Sequence, residues 1–307
     1  LVPIGGGKDS VVTVELLAAA RMHPVQFAVN PNQVIFRVGR VKGHPVIPAT
    51  REIDERLLEL NSEGALNGHV PVTAINSLIS LVQARIIGLG PVVMSLEASA
   101  SEATLVWDGV EVNHQWSKSE EAEGLLHDML GPQAGLSAGA YFSLLRPYSE
   151  LKIARYFSGL REYHPVITSC NRAFRRGVDD ARWCANCDKC RFIFLILSPF
   201  LPASALIRMF AANLLDDSRQ IEGYRSLLGL AEHRPFECVG EQAESMVALT
   251  WIAHQEDWKK SVVVTALVSE IPELLTPHPE LEAQVLGHRD GICGMPGGYE
   301  HLGAILA

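Results

Sequence analysis

The chain lacks any uninterrupted apolar run of roughly 18 residues or more, the length a membrane-spanning helix requires. It also lacks a signal-peptide pattern at its start. Nothing is therefore expected to span or cross a membrane, and the cytoplasm is the expected compartment. Basic residues are in short supply: 26 Lys and Arg against 35 Asp and Glu leave a formal charge of −9 and a pI near 5.7. That balance disfavours a general nucleic-acid surface, which needs a basic patch or stripe. A local cluster remains at Arg172, Arg175, Arg176 and Arg182. No internal repeat or low-complexity tract is present. Nor does the chain open on Met; Leu1 leads directly into an apolar strand, and an upstream segment is expected. What is abundant is apolar side chain, 48% of 307 residues, enough for one large core or two modest ones.

The most informative stretch is Leu1-Val-Pro-Ile-Gly5-Gly6-Gly7-Lys8-Asp9-Ser10. A short apolar strand runs into three glycines and then into an amphipathic helix. Glycines let backbone N–H groups approach an anion, Lys8 adds a point charge, and Asp9 and Ser10 are placed to cap a helix over 11–22. The spacing is not that of a Walker A loop. The order Gly-Gly-x-Asp-Ser resembles the pyrophosphate loop of the ATP pyrophosphatases, which split ATP into AMP and pyrophosphate. Gly5 stands where the common form of that motif has Ser. The competing reading is an ordinary strand-to-helix turn.

The first half alternates β-branched runs with helical patterns, the signature of a doubly wound parallel sheet. Strands are expected at 1–4, 25–29, 34–41, 69–72, 92–96 and 141–145, and helices at 10–22, 51–60, 73–87, 119–130 and 150–160. Chemistry should then lie at the carboxyl edge of a Rossmann-like sheet of the ATP-pyrophosphatase type. Three parts are read: a nucleotide-binding domain over 1–165, a cysteine-rich metal segment over 166–200, and a mainly helical region over 201–307. Helices are expected at 203–215, 219–228 and 242–255. The tail 287–307, with six glycines and one proline, reads as irregular.

Four of the six cysteines fall in Cys170-x13-Cys184-x2-Cys187-x2-Cys190. Four thiolates complete the tetrahedral shell of a structural Zn²⁺, and Arg182, Lys189 and Arg191 would offset the negative charge they leave. An iron–sulfur cluster competes, because Cys-x2-Cys-x2-Cys also occurs in ferredoxin-type ligation. Disulfides fit a reducing compartment poorly. The apolar run 192–197 continues into a buried helix.

Val112-Asn113-His114-Gln115-Trp116-Ser117-Lys118-Ser119 gathers amide, imidazole, hydroxyl and ammonium groups, which suits a substrate site. Asn113 and Lys118 are its binding candidates; the plainer reading is a polar loop ending in a helix cap at Ser119. Leu96-Glu97-Ala-Ser99-Ala-Ser101-Glu102 should emerge at a strand's carboxyl end, where carboxylates hold Mg²⁺ or a polar group. Arg146 is a candidate clamp for a carboxylate or phosphate, against a simple ion pair. Cys238, in Arg234-Pro-Phe-Glu-Cys238-Val-Gly-Glu241, lies outside the metal cluster. A thiol beside an acidified C–H is a competent base once its pKa is lowered, although buried cysteines often only pack.

Taken together, these motifs and the stretch Gly68-His-Val-Pro-Val-Thr-Ala-Ile-Asn-Ser77 resemble the family of ATP-dependent UDP-N-acetylmuramoyl-L-alanyl-L-glutamate epimerases, peptidoglycan-precursor enzymes. The resemblance implies ATP and Mg²⁺ as the adenylating pair, a UDP-linked muramoyl dipeptide as substrate, and inversion of its terminal L-glutamate with release of AMP and diphosphate. It implies neither a membrane nor a nucleic-acid partner. Cys238 and His114 are the expected proton-transfer residues. Another adenylating enzyme, acting on a nucleoside or tRNA, and a non-catalytic nucleotide-binding module are the alternatives. Net acidity speaks against the tRNA version.

Overall fold

The computed structural model describes residues 1–66, 70–174, 182–231, 235–289 and 294–306. Gly68 of the motif over 68–77 and His69 of the strand expected at 69–72, together with Arg175, Arg176 and Arg234, lie outside the described residues.

Strand β1 (Val2–Pro3) leads through the glycines into α1 (Lys8–Ala19); β2 (Gln26–Val29), α2 (Gln33–Arg40) and β3 (Val46–Ala49) follow. Strands β1, β2 and β3 form a parallel sheet in that order. After α3 (Glu55–Ser62) and α4 (Val72–Ile86) comes β4 (Val92–Met94), which pairs in parallel with β7 (Tyr141–Ser143). Between those two lie a hairpin, β5 (Leu105–Trp107) with β6 (Val110–Val112), and α5 (Glu120–Ala134). The two parallel sheets adjoin at their first strands. Leu1 N donates to the Pro91 carbonyl and Val93 N–H to the Leu1 carbonyl, both at 2.8 Å, and Pro3, with no N–H, cannot continue the ladder. The strands therefore run side by side as β3, β2, β1, β4, β7.

Side chains on a strand alternate faces, and here each face is covered by helices. Leu1, Phe27, Val92 and Met94 pack with Leu81 and Ala84 of α4 and Leu130 of α5. Val2, Ile4, Ala28, Val93 and Phe142 join the larger cluster with Val11 and Val14 of α1, Val34 of α2 and Ile153 of α6 (Glu150–Ser158). This is a mixed α/β molecule with parallel strands, as the alternation of patterns predicts.

The helical half is built on α7 (Asp188–Leu197), whose residues 192–197 are all buried. A helix apolar all round is a core helix, and each such side chain stabilises the fold by about 1.5–3 kcal/mol. It packs against α6, α9 (Ile221–Leu227) and α10 (Gln242–Ala253), with α8 (Ala203–Phe210), α11 (Val262–Glu270) and α12 (Pro279–Leu286) around them.

Several expectations are corrected. Residues 34–41 form α2 and not a strand: Asn32 Oδ1 accepts from Ile35 N–H at 3.1 Å, and Val34, Ile35 and Val38 share one buried face. The neighbouring strand is β3 instead. Val72 opens α4 and does not close a strand. Helix 203–215 stops at Phe210, where Ala211 turns left-handed at φ +56°. The tail is not wholly irregular, since α13 (Gly297–Glu300) and a 3-10 turn bury Leu302 and Leu306; its residues 290–293 and 307 lie outside the described residues.

Candidate active site

The carboxyl ends of β1 and β4, the junction of the two sheets, open on a cavity of about 300 Å³. Gly5, Gly7, Asp9 and Ser10 form one wall, residues 94–97 another, and Gln115, Lys118, Glu150, Ser169, Lys189 and Cys238 close the rest. A larger cavity, about 590 Å³, lies at the opposite end of α6, among Arg161, His164, Phe200 and Arg208, with no carboxylate or thiol in its lining. The chemistry is therefore sought in the smaller one.

The glycine loop makes the first wall. Gly6 has φ +82°, a conformation that costs a side chain, and a Cβ on Gly7 would stand 2.7 Å from Ser169 Oγ. Helix α1 starts at Lys8 with Gly7 as its N-cap and no side-chain cap. The first N–H groups of a helix have no intrahelical acceptors, and uncapped they form an anion site. Asp9 and Ser10 thus sit inside the first turn and do not cap it, contrary to expectation. Lys8 is not left free for a phosphate either. Its side chain is fully buried, with Nζ ion-paired to Asp9 and Glu150. Ser95 Oγ, on the opposite wall, is buried with no partner among the described residues.

Three carboxylates and two further ammonium groups line the space. Lys189 Nζ donates to Glu150 Oε1 at 3.0 Å. Burial alone would raise the Glu150 carboxyl, but the ammonium groups of Lys189 and Lys8 outweigh it and hold the acid well below its ordinary range. Asp9 and Glu97 go the other way, raised first by burial and then by the negative charge of Glu150.

Opposite the glycine loop, Cys238 Sγ lies 3.5 Å from His114 Nε2 and accepts from Lys118 Nζ at 3.3 Å. His114 Nδ1 is 2.6 Å from Thr104 Oγ1. Burial pushes the thiol up; the His114 hydrogen bond and the positive charges of Lys118 and Lys189 reverse this and bring it to about 7. Sequence reasoning singled out Cys238 and His114 but missed Thr104, which precedes the hairpin. The β5–β6 turn is what folds Thr104 back beside His114.

Two expected binding residues do something else. Arg146 is buried, and four of its donors are engaged: Nε and Nη2 to Glu123 Oε2 at 3.3 and 2.9 Å, Nη1 to the Glu97 carbonyl at 2.9 Å, and Nη2 to the Lys118 carbonyl at 2.7 Å. It holds the two walls together and does not clamp a ligand. Asn113 ties its own loop, donating to the Ala100 carbonyl and accepting from Gln115 N–H, both at 2.9 Å. Lys118 alone of the three lines the cavity.

Behind this wall, the Sγ atoms of Cys170, Cys184, Cys187 and Cys190 all lie within 4.8 Å of one another, a set able to hold a metal ion. Cys187 is the N-cap of α7, so the cluster fixes Lys189 in the first turn. Lys189 N–H donates to Glu237 Oε2 at 2.9 Å, which ties the metal loop to the segment carrying Cys238.

Comparison with known proteins bears on the whole chain. Residues 1–144 match the MurL N-terminal domain and residues 166–282 the MurL C-terminal domain. A Salinispora tropica protein named UDP-N-acetyl-alpha-D-muramoyl-L-alanyl-L-glutamate epimerase is 53% identical over 271 residues, 88% of this chain and 59% of that protein. A Micromonospora relative with the same name is 53% identical over 270 residues, 88% of this chain and 60% of its own length. A third, from Xanthomonas oryzae pv. oryzae, is 42% identical over 282 residues, 91% and 62% of the two chains. The chain thus spans about three-fifths of the length of these curated relatives. No solved structure matches it.

Proposed function

The chain belongs to the MurL family, and on that premise we propose that it carries the catalytic part of an ATP-dependent epimerase acting on UDP-N-acetylmuramoyl-L-alanyl-L-glutamate. ATP and Mg²⁺ activate the carboxylate beside the terminal stereocentre, the centre inverts, and hydrolysis gives the D-glutamyl product with AMP and diphosphate. The chemistry calls for activation. Next to a carboxylate the α-hydrogen is a poor acid, because a second negative charge would build beside the first; an acyl adenylate removes that obstacle.

The observation that carries this reading is the uncapped start of α1 and its glycine loop, which share one cavity with the Cys238–His114 pair. Backbone donors at Gly5, Gly6, Gly7, Lys8, Asp9 and Ser10 would cradle the leaving diphosphate. The strand order and the placement of the loop at the sheet junction support an ATP-pyrophosphatase type of sheet. Asp9, paired with Lys8, and Glu97 line the same cavity, and Mg²⁺ is commonly held by one or two carboxylates with substrate phosphates. Lys118 faces substrate, Arg146 and Asn113 hold its loop, and Cys238 with His114 moves the α-proton.

The four-cysteine set fits Zn²⁺. A tetrahedron with Zn–S near 2.3 Å puts its sulfurs about 3.8 Å apart; three of the six Sγ pairs here lie at 3.4, 3.7 and 3.9 Å and all six within 4.8 Å. An iron–sulfur cluster distributes its cysteines over several irons and so needs them farther apart. The metal segment 166–200 then braces the nucleotide domain 1–165 against the helical region 201–307.

The test is incubation with ATP, Mg²⁺ and the UDP-linked dipeptide, assayed for diphosphate, AMP and D-glutamyl product. Diphosphate release that depends on RNA, with no inversion, would overturn the assignment.

A further inference from the structure

The two proton-transfer candidates are in contact with each other. Cys238 Sγ is 3.5 Å from His114 Nε2, so they stand on one side of the cavity and cannot flank a stereocentre from opposite faces. Cys238 lines the main cavity and His114 does not, but His114 Nε2, 3.5 Å from the sulfur, is within reach of a carbon two bonds from that sulfur, and its Nδ1 rests on Thr104 Oγ1. A nucleophile, a base within hydrogen-bond reach and a third group orienting that base form the arrangement of covalent catalysis.

From this geometry, and resting on the adenylating reading above, we infer that Cys238 takes the activated glutamyl group as a thioester and that His114 works on the tethered α-carbon. Sγ attacks the carbonyl carbon of the acyl adenylate. The C–S bond forms, the C–O bond to phosphate breaks, and AMP leaves with that electron pair; the thiol proton has passed to His114 Nε2 and on to solvent. Neutral His114 then removes the α-hydrogen, and the C–H electrons become the enolate of the thioester beside the Lys118 ammonium. Rotation about the Cβ–Sγ and Sγ–C bonds turns the other face to the same imidazolium, which returns a proton. Water cleaves the C–S bond, giving the carboxylate and restoring the thiol. One base thus inverts the centre because the substrate turns on its tether within the cavity of about 300 Å³.

Lys118 at 3.3 Å and Lys189 favour the thiolate, while Asp9, Glu97 and Glu150 across the cavity carry the opposing charges. With its thiol brought to about 7, Cys238 is about half ionised at neutral pH, against a few per cent for an ordinary cysteine.

The full protein is mixed with ATP, Mg²⁺ and the UDP-linked dipeptide, quenched in acid during the first turnover and mapped by mass spectrometry, with ATP–diphosphate isotope exchange run in parallel. Expected is a hydroxylamine-labile acyl mass on the peptide containing Cys238, absent from Cys238→Ala. Isotope exchange without any adduct overturns the thioester and leaves adenylation standing. No isotope exchange in the wild-type protein overturns the adenylating reading and the thioester with it. A ligand-free check is the pH profile of iodoacetamide alkylation at Cys238: its midpoint is expected near 7 and higher in His114→Ala. A midpoint near the ordinary value of about 8.5, unmoved by that substitution, overturns the assignment of Cys238 as nucleophile.

Discussion

Lys8 and Glu150 stand 142 positions apart in sequence and side by side in the structure, joined by a buried ion pair that locks the start of α1 to the start of α6. The charge that looked destined for a phosphate instead fixes the geometry of the loop that would hold one. Anion binding is left to backbone N–H groups, which need no charge of their own.

Removing one partner of a buried pair leaves the other uncompensated. Lys8→Met is therefore expected to cost about 3 kcal/mol of unfolding free energy, measured by urea denaturation, even though Lys189 still reaches Glu150. Wild-type stability in that variant would mean the pair contributes nothing to the fold. The pH dependence follows from the directions of the two shifts. Glu150 is held below its ordinary 4.5 and Lys8 above its ordinary 10.5. The pair's contribution is full between those values. It is lost as pH falls through the folded pKa of Glu150, and again as pH rises through that of Lys8. An acid limb that starts below 4.5 in the wild type and flattens in Lys8→Met is the expected result.

Gly5 and Gly6 separate ligand space from backbone strain. Gly5 lines the cavity and a Cβ on it would meet nothing within 4 Å, whereas Gly6 has φ +82° and its Cβ would press on Val34. Gly5→Val is expected to keep wild-type thermal stability and lose diphosphate release. Gly6→Val should lower stability by about 1–2 kcal/mol or more as well. Undiminished turnover in Gly5→Val would remove the phosphate from this loop.

About one zinc per chain is expected on elemental analysis, and Cys187→Ser should lower both metal content and melting temperature. Because Cys187 caps α7 and Lys189 bonds Glu237, zinc loss should also slow alkylation of Cys238. A brown protein with visible absorption would mean iron and sulfur instead.

What the sequence made legible is what local pattern can carry. The glycine loop, the Cys170–Cys190 spacing and the helix cap at Ser119 depend on neighbours a few residues away. Residues 34–41 misled because a β-branched run reads equally well as strand or helix until the Asn32 cap is weighed. The roles of Lys8 and Arg146 were out of reach for a different reason. Their partners, Glu150 and Glu123, are distant in sequence, and a charged side chain gives no local sign of whether it will be buried against an acid or left facing a ligand.

Thr104 offers the sharpest test of how His114 works. Its Oγ1 accepts from His114 Nδ1–H when the ring carries its proton there, which leaves Nε2 free to take a proton on the side of Cys238. Thr104→Val keeps the side-chain shape and removes that orienting partner. With one hydrogen bond worth roughly 1–1.5 kcal/mol, α-hydrogen exchange into deuterated water should slow about tenfold, while ATP–diphosphate isotope exchange continues at its former rate. His114→Ala and Cys238→Ala should abolish the α-hydrogen exchange outright and leave the adenylation half-reaction running. If both steps fell together in all three variants, the loop would be failing structurally. If α-hydrogen exchange persisted in Cys238→Ala and His114→Ala, the proton would be handled by another group lining the cavity, with Glu97, whose carboxyl pKa is raised by burial, the first to examine.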